Sequence, residues 1–239
     1  MPKRFQIRSV LNNDYFGKVI VVCGWVKTFR SNRFINLNDG SCLNDLQCVV
    51  DYEKLEESKL SKINTGACIK VKGEIVKSQG RGQNIELIAN SIDILGESDP
   101  EKFPIQPKKH SFEFLRENAH LRVRTKTLSS VFRIRSEVSY AIHNFFNKNN
   151  FYYIHTPIIT GSDAEGAGEM FRVTTLDSNK KNLDFSEDFF GKETNLTVSG
   201  QLEAESLALG LGNVYPFGPT FRAENSNTSR HLAEFWMIE

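Results

Sequence analysis

The segment FRAENSNTSRHLAEF, Phe221 to Phe235, concentrates side chains that could hold an anion. Arg222, Arg230 and His231 supply cationic or hydrogen-donating groups, Glu224 and Glu234 supply carboxylates, and a phenylalanine stands at each end. A hairpin needs only a turn between two alternating stretches, and the small polar residues in the middle provide it. Two arginines and a histidine around the turn exceed that requirement. A guanidinium stays charged and forks onto two oxygens at once, so the group suits a phosphate or carboxylate ligand on a loop held by two strands. The plainer alternative is a hairpin with exposed Arg–Glu pairs, each worth under ~1 kcal/mol.

The elements that must carry such a loop can be traced from composition and pattern. At 239 residues, with 39% hydrophobic and 25% charged residues, the chain can bury one large or two medium cores. A net charge of +1 points to no class of partner. No apolar run approaches the ~18 residues of a membrane span. The opening MPKRFQIRSVLNNDYFGKV lacks a secretory apolar region, so a cytoplasmic protein is expected. Cys23, Cys42, Cys48 and Cys68 form no CxxC pair, and buried free thiols are expected rather than a metal site.

The first hundred residues read as β structure. VIVVCGWVKTF, RFINLNDGS, LNDLQCVVD, ACIKVKGEIVKS and QNIELIANSIDIL are β-branched or alternating and are separated by Asn, Asp and Gly turns. EKLEESKLSKINTG, between the third and fourth, suits a short helix with Leu55, Leu60 and Ile63 on one side and Gly66 as its cap. Five strands with a helix between the third and fourth match the OB-fold, a small barrel used for single-stranded nucleic acid. Pro100, Pro104 and Pro107 then mark a hinge. The division expected is 1–100 for the barrel, 101–125 for the linker and 126–239 for the remainder. In that remainder Leu128, Val131, Ile134, Val138, Ala141, Ile142 and Phe145 predict a helix from about Leu128 to Phe146. FYYIHTPIIT predicts a strand interrupted at Pro157, at an edge or an interface. LDSNKKNLDFSEDFFGKE reads as a surface insertion, QLEAESLALGLG as a helix, and NVYPFGPTFRAE and AEFWMIE as paired strands.

GWVKTFRSNRFINLNDGS, HSFEFLRENAHLR, SDAEGAGEMF, VSGQLEAE and FGPTFRAENSNTSRHLAEFWMIE occur in that order. Together they resemble the class II aminoacyl-tRNA synthetases of the aspartyl, asparaginyl and lysyl subgroup, and within it the asparaginyl-tRNA synthetases. The resemblance runs from about Val19 to Glu239. It implies a β plus α/β fold: an N-terminal OB-fold anticodon-binding barrel, then part of a class II antiparallel-sheet catalytic domain carrying the first two family motifs. ATP and Mg2+, asparagine and tRNA(Asn) are the implied substrates and partners, with a homodimer and no membrane. The third family motif would lie beyond residue 239, so the chain as given is expected not to form asparaginyl-adenylate.

The resemblance also assigns residues. Arg222 matches the arginine on the ATP α-phosphate and is the catalytic assignment; Arg230 and His231 match positions at the outer phosphates. Phe235 matches the ring under adenine, with Glu224 close by. Ser199 and Gln201 match contacts to the backbone and carboxylate of the amino acid, and Glu165 the group that holds its ammonium. Without the resemblance, Glu165 reads as an ordinary loop acid. Ala204 stands where aspartyl relatives carry a lysine, and a lysine facing a neutral amide would be buried unpaired. Glu224 is the weaker candidate for accepting the substrate amide. No metal ligand is assigned in this chain.

On the barrel, Arg30, Phe34 and Gln47 match anticodon contacts. Alternation in RFINLND puts Ile35 and Leu37 on the core side, leaving Phe34 outward as a stacking platform rather than a core residue. Two other readings are an aspartyl enzyme, including forms that accept both tRNAs, and a non-catalytic tRNA-binding or regulatory protein cut down from a synthetase.

Overall fold

The apolar alternation of the first hundred residues closes into a five-stranded barrel. The computed structural model describes residues 3–51, 57–80, 82–164, 166, 169–177, 182–226, 228 and 230–239. A short helix α1 (Ile7–Asn12) precedes strands β1 (Val19–Arg30), β2 (Phe34–Asn38), β3 (Leu46–Val49), β4 (Cys68–Lys77) and β5 (Ile85–Gly96), paired as β1-β2-β3-β5-β4 with β4 closing onto β1. Ile35 and Leu37 are fully buried, and Phe34 and Asn36 stay half-buried on the outer face, as the alternation requires. Ile7 and Val10 of α1 also enter the barrel core. The sequence reading places no element there, because a six-residue helix with three apolar side chains is too short to show a period.

Helix α2 (Glu57–Leu60) lies between β3 and β4. Leu55 falls outside the described residues. Gly66 does not cap this helix, which ends at Leu60. At φ +91° it forms the turn into β4, where a Cβ would come within 2.8 Å of the Phe103 ring. Cys48 is buried, and burial pushes its thiol up to about 12. The expectation that all four thiols are buried is corrected: Cys23 and Cys42 are half-buried and Cys68 is exposed, on the outward side of the alternation that buries Ile69. The linker is less irregular than its prolines imply. It holds helix α3 (Phe112–Glu117), capped by the Ser111 hydroxyl accepting from the Phe114 N–H at 3.2 Å.

The chain divides into two units, Met1–Arg135 and Ser136–Glu239. Helix α4 (Lys126–Lys148) extends two residues beyond each predicted end. Its apolar stripe is not buried: Val131, Ile134, Val138 and Phe145 are all at least half exposed. Among the described residues, no helix is long and apolar enough to cross a membrane. The run containing Pro157 splits into β6 (Tyr152–Ile154) and β7 (Ile159–Thr160), which join different sheets. With β8 (Arg172–Val173) and β9 (Thr194–Leu196), β7 makes the sheet β7-β9-β8. Helix α5 (Gln201–Leu211) follows, and the predicted strand pair forms as β10 (Val214–Phe221) and β11 (Glu234–Ile238). The second sheet has the order β11-β10-β6, with β11 antiparallel and β6 parallel to β10. β6 therefore lies at an edge.

In the barrel β1 approaches β2 so closely at Gly24 that a Cβ there would collide with the Asn38 carbonyl. Gly24→Ala should destabilise the first unit by about 1–3 kcal/mol in urea unfolding. Gly96→Ala, whose Cβ would meet only the Cys68 Cβ at 3.7 Å, should stay within about 0.5 kcal/mol of the parent.

Candidate functional site

The β10–β11 hairpin has two unlike faces because paired residues share a side and neighbours alternate. One face carries Tyr215, Phe217 and Trp236. Phe217 and Trp236 meet edge to face at 5.0 Å, Phe146 of α4 stacks on Tyr215 at 4.4 Å, and His143 Nδ1 lies 2.8 Å from the Tyr215 hydroxyl. These contacts fix the hairpin on α4. The opposite face carries Thr220, paired with Phe235, and Gly218, paired with Met237. Arg222 and Glu239 continue this face at its two ends. From Phe235 to Glu239 is four residues of extended chain, about 13 Å.

At the loop end, the Arg222 N–H donates to the Ala233 carbonyl at 3.0 Å, which carries the pairing past the last strand residue. The Arg222 guanidinium lies 5.5 Å from the centre of the Phe235 ring. Its Nε is buried with no hydrogen-bond partner among the described residues. His231 Nε2 is likewise buried and unpartnered, 3.6 Å from a Glu224 carboxylate oxygen, within ion-pair range but beyond a hydrogen bond. Buried nitrogens without partners are costly in native proteins, and the one on Arg222, beside an aromatic ring, marks a place where an anion would fit. The segment thus sets Arg222 against Phe235 and His231 against Glu224. Arg230 is exposed at the turn.

At the other end, the Glu239 carboxylate accepts from the Ser199 hydroxyl and, at 2.8 Å, from the Gly200 N–H. Gly200 is the N-cap of α5 and has no side chain to cap it, so Glu239 places its charge at that N-terminus. The buried Ser199 also accepts from the Gln201 N–H at 3.0 Å. Gln201 and Ala204 share a side of the first turn of α5, and the Gln201 amide donates to Glu205 at 2.9 Å. A Cβ on Gly200 would come within 2.6 Å of Thr156 Oγ1, so this corner is closed to any larger residue. Glu165 lies outside the described residues. Glu239 was missed in the sequence; its place on the same strand face as Phe235, four residues away, is the signal that could have found it.

On the outer face of the barrel, Arg30 pairs with Phe34 across β1–β2, and Asn36 pairs with Gln47 across β2–β3. The register therefore places Arg30, Phe34 and Gln47 on one surface. The guanidinium of Arg33, also unassigned from sequence, lies 5.7 Å from the Phe34 ring centre. Gln47 Nε2 donates to Glu86 at 3.0 Å, and Ser78 and Gln83 donate to the same oxygen at 3.3 and 3.4 Å. That shared acceptor orients the Gln47 amide.

Comparison with known proteins agrees with this layout. Residues 111–239 match the family of tRNA synthetases class II (D, K and N), and residues 20–95 match the OB-fold nucleic acid binding domain. The chain is 55% identical over 248 residues to the asparagine–tRNA ligase of Cytophaga hutchinsonii, covering 99% of this chain and 53% of that protein. It is 56% identical over 246 residues to that of Parabacteroides distasonis, with the same coverage of each chain. A solved asparaginyl-tRNA synthetase from Pyrococcus horikoshii, complexed with asparaginyl-adenylate, superposes with a TM-score of 0.83 at 25% identity, over 100% of this chain and 52% of that one. The chain spans about half the length of the curated relatives it matches.

The Glu239 clasp is testable without substrate. Glu239→Ala should raise the exchange rate of the Gly200 amide roughly tenfold, the equivalent of about 1.4 kcal/mol for a charge-assisted bond on a partly exposed group. Native-state hydrogen exchange resolved at Gly200 provides the measurement, and amides of the barrel serve as the unchanged reference.

Proposed function

The chain belongs to the class II tRNA synthetases of the aspartate, lysine and asparagine group, and from that premise we propose that it serves an asparagine–tRNA ligase. The reaction joins asparagine to ATP as asparaginyl-adenylate and then transfers it to tRNA(Asn). The observation that carries this reading is the buried, unpartnered Nε of Arg222 on the same hairpin face as Phe235. In the first step the asparagine carboxylate attacks the α-phosphorus in line and pyrophosphate leaves. Charge gathers on the phosphate oxygens as it does so, and a fixed guanidinium offsets it. Arg222 takes that role, Arg230 and His231 take the outer phosphates, and Phe235 takes the adenine ring with Glu224 beside it. Magnesium would accompany the triphosphate, held by phosphate oxygens and one or two carboxylates. Among the described residues no group of three or more His, Cys, Asp or Glu side chains could hold a metal.

The amino acid then lies toward the Glu239 end of the face, with Ser199 and Gln201 at its backbone and Glu165 at its ammonium. Ala204, neutral and nearly buried, favours an amide over a carboxylate side chain, because nothing there would neutralise the second charge. In this reading residues 1–100 bind the anticodon through Arg30, Phe34 and Gln47, 101–125 link the two parts, and 126–239 contribute to the catalytic domain. The exposed apolar stripe of α4 supports a homodimer in which a second copy covers it. The cytoplasm is the proposed compartment.

In protein of the length of the relatives, Arg222→Lys should cut asparagine-dependent ATP–pyrophosphate exchange at least tenfold while sparing tRNA binding. Lysine keeps the charge and loses the fork; parental exchange rates would remove Arg222 from the α-phosphate. On the barrel, Phe34→Ala should weaken binding of the tRNA(Asn) anticodon stem-loop by about 1–3 kcal/mol in a folded protein. Filter binding of this chain and its variant measures that loss, and equal affinities would take Phe34 out of the site.

A further inference from the structure

The first unit contains a cleft that none of these roles uses. It has a volume of about 890 Å³, within the roughly 300–1,000 Å³ of small-molecule sites. One wall is β1 from Trp25 to Thr28; the other is the linker and the start of α4, from Phe103 to Thr127. At its centre the Arg124 guanidinium lies 5.0 Å from the Trp25 ring centre and 5.8 Å from that of Phe103. Burial lowers the Arg124 pKa from its usual value, and no carboxylate pairs with it among the described residues. A guanidinium held over rings keeps its N–H edge for a ligand.

Two further polar groups in the same wall are unsatisfied. Trp25 Nε1 and Thr28 Oγ1 are buried without a hydrogen-bond partner among the described residues. The charge around them is one-sided. Lys108, Lys109, Lys126 and Arg124 line the cleft against Glu113, while Lys27 and Asp45 pair with each other at 3.3 Å. Phe112, more than half exposed, adds a ring at the rim. Several cations suit a dianion better than a single carboxylate, and the rings suit a flat partner.

We propose that this cleft binds a small molecule made of a planar ring joined to a phosphate, a nucleoside monophosphate being the simplest of the class. The phosphate meets the Arg124 edge and the lysines, and the ring lies among Trp25, Phe103 and Phe112. The Trp25 and Phe103 rings line a concave site, which favours a free small molecule over the backbone of an RNA. The cleft shares no residue with the hairpin bearing Arg222 and Phe235, so it is a separate site.

The chain has two tryptophans, Trp25 and Trp236, so Trp236→Phe leaves Trp25 as the only indole reporter. Titration of that variant with adenosine, guanosine and uridine monophosphates should give a saturable change in Trp25 fluorescence, half-complete below about 1 mM for at least one of them. The matching nucleoside and inorganic phosphate alone should each bind at least tenfold more weakly. Arg124→Gln should weaken binding at least tenfold, and Thr28→Val, a milder change, severalfold, each with an unaltered circular dichroism spectrum. Arg222→Ala should leave the response unchanged. Absence of a saturable response, a response to tRNA but to no mononucleotide, or full affinity in both Arg124→Gln and Thr28→Val would overturn the proposal. A response abolished by Arg222→Ala would assign the binding to the hairpin instead, which also overturns it.

Discussion

The alternation of side chains along β10 and β11 ties packing to chemistry in the second unit. The same backbone register that presses Tyr215 and Phe217 onto α4 turns Arg222, Phe235 and Glu239 the other way. A slip of one residue would exchange the two sets and lose both together. The aromatic cluster of His143, Phe146, Tyr153 and Tyr215 is therefore part of the site, although none of its members reaches the opposite face. It fixes the strand on which the arginine stands. A stiff support of this kind keeps donors aimed where charge develops, so little reorganisation remains for the reaction itself.

The two ends of that face differ in how fully they are satisfied. At the Glu239 end the polar groups are paired: the carboxylate holds Ser199 and Gly200, and Ser199 holds the Gln201 N–H. At the Arg222 end, buried nitrogen atoms of Arg222 and His231 have no hydrogen-bond partner among the described residues. A closed corner and an unsatisfied one, about 13 Å apart on one strand face, suit a substrate held at one end by shape and at the other by charge. The barrel shows the same division of labour on a smaller scale. Glu86 orients Gln47 through a hydrogen bond, whereas Phe34 keeps a ring half open to solvent.

Much of this was legible in the sequence, and what was not has physical reasons. Alternation and β-branched runs mark the five strands and the outward Phe34, and three- and four-residue spacing marks α4. Turn chemistry was read less well. From sequence Gly66 reads as a helix cap, but its positive φ serves the entry to β4 under the Phe103 ring, a contact separated by many residues. Helix α1 escaped notice because its apolar residues only make sense once a barrel exists to receive them. The apolar stripe of α4 was found, but its exposure was not foreseeable, since periodicity marks a face and not what covers it. In the site, the types and spacing of Arg222, Arg230 and His231 point to anion binding without any fold, while the part given to Phe235 comes from the resemblance alone. For Glu239 the one signal is its place on the strand face of Phe235. An acid at the end of an apolar strand looks ordinary until the helix N-terminus beside it is seen.

The most direct measurement is a crystal structure of this chain with a non-hydrolysable ATP analogue bound. The account predicts the adenine against the Phe235 ring and the α-phosphate within hydrogen-bond distance of the Arg222 guanidinium, with the Glu239 clasp on Ser199 and Gly200 unchanged. An analogue seated away from the β10–β11 face, or one that leaves the Arg222 Nε unpartnered, would contradict it.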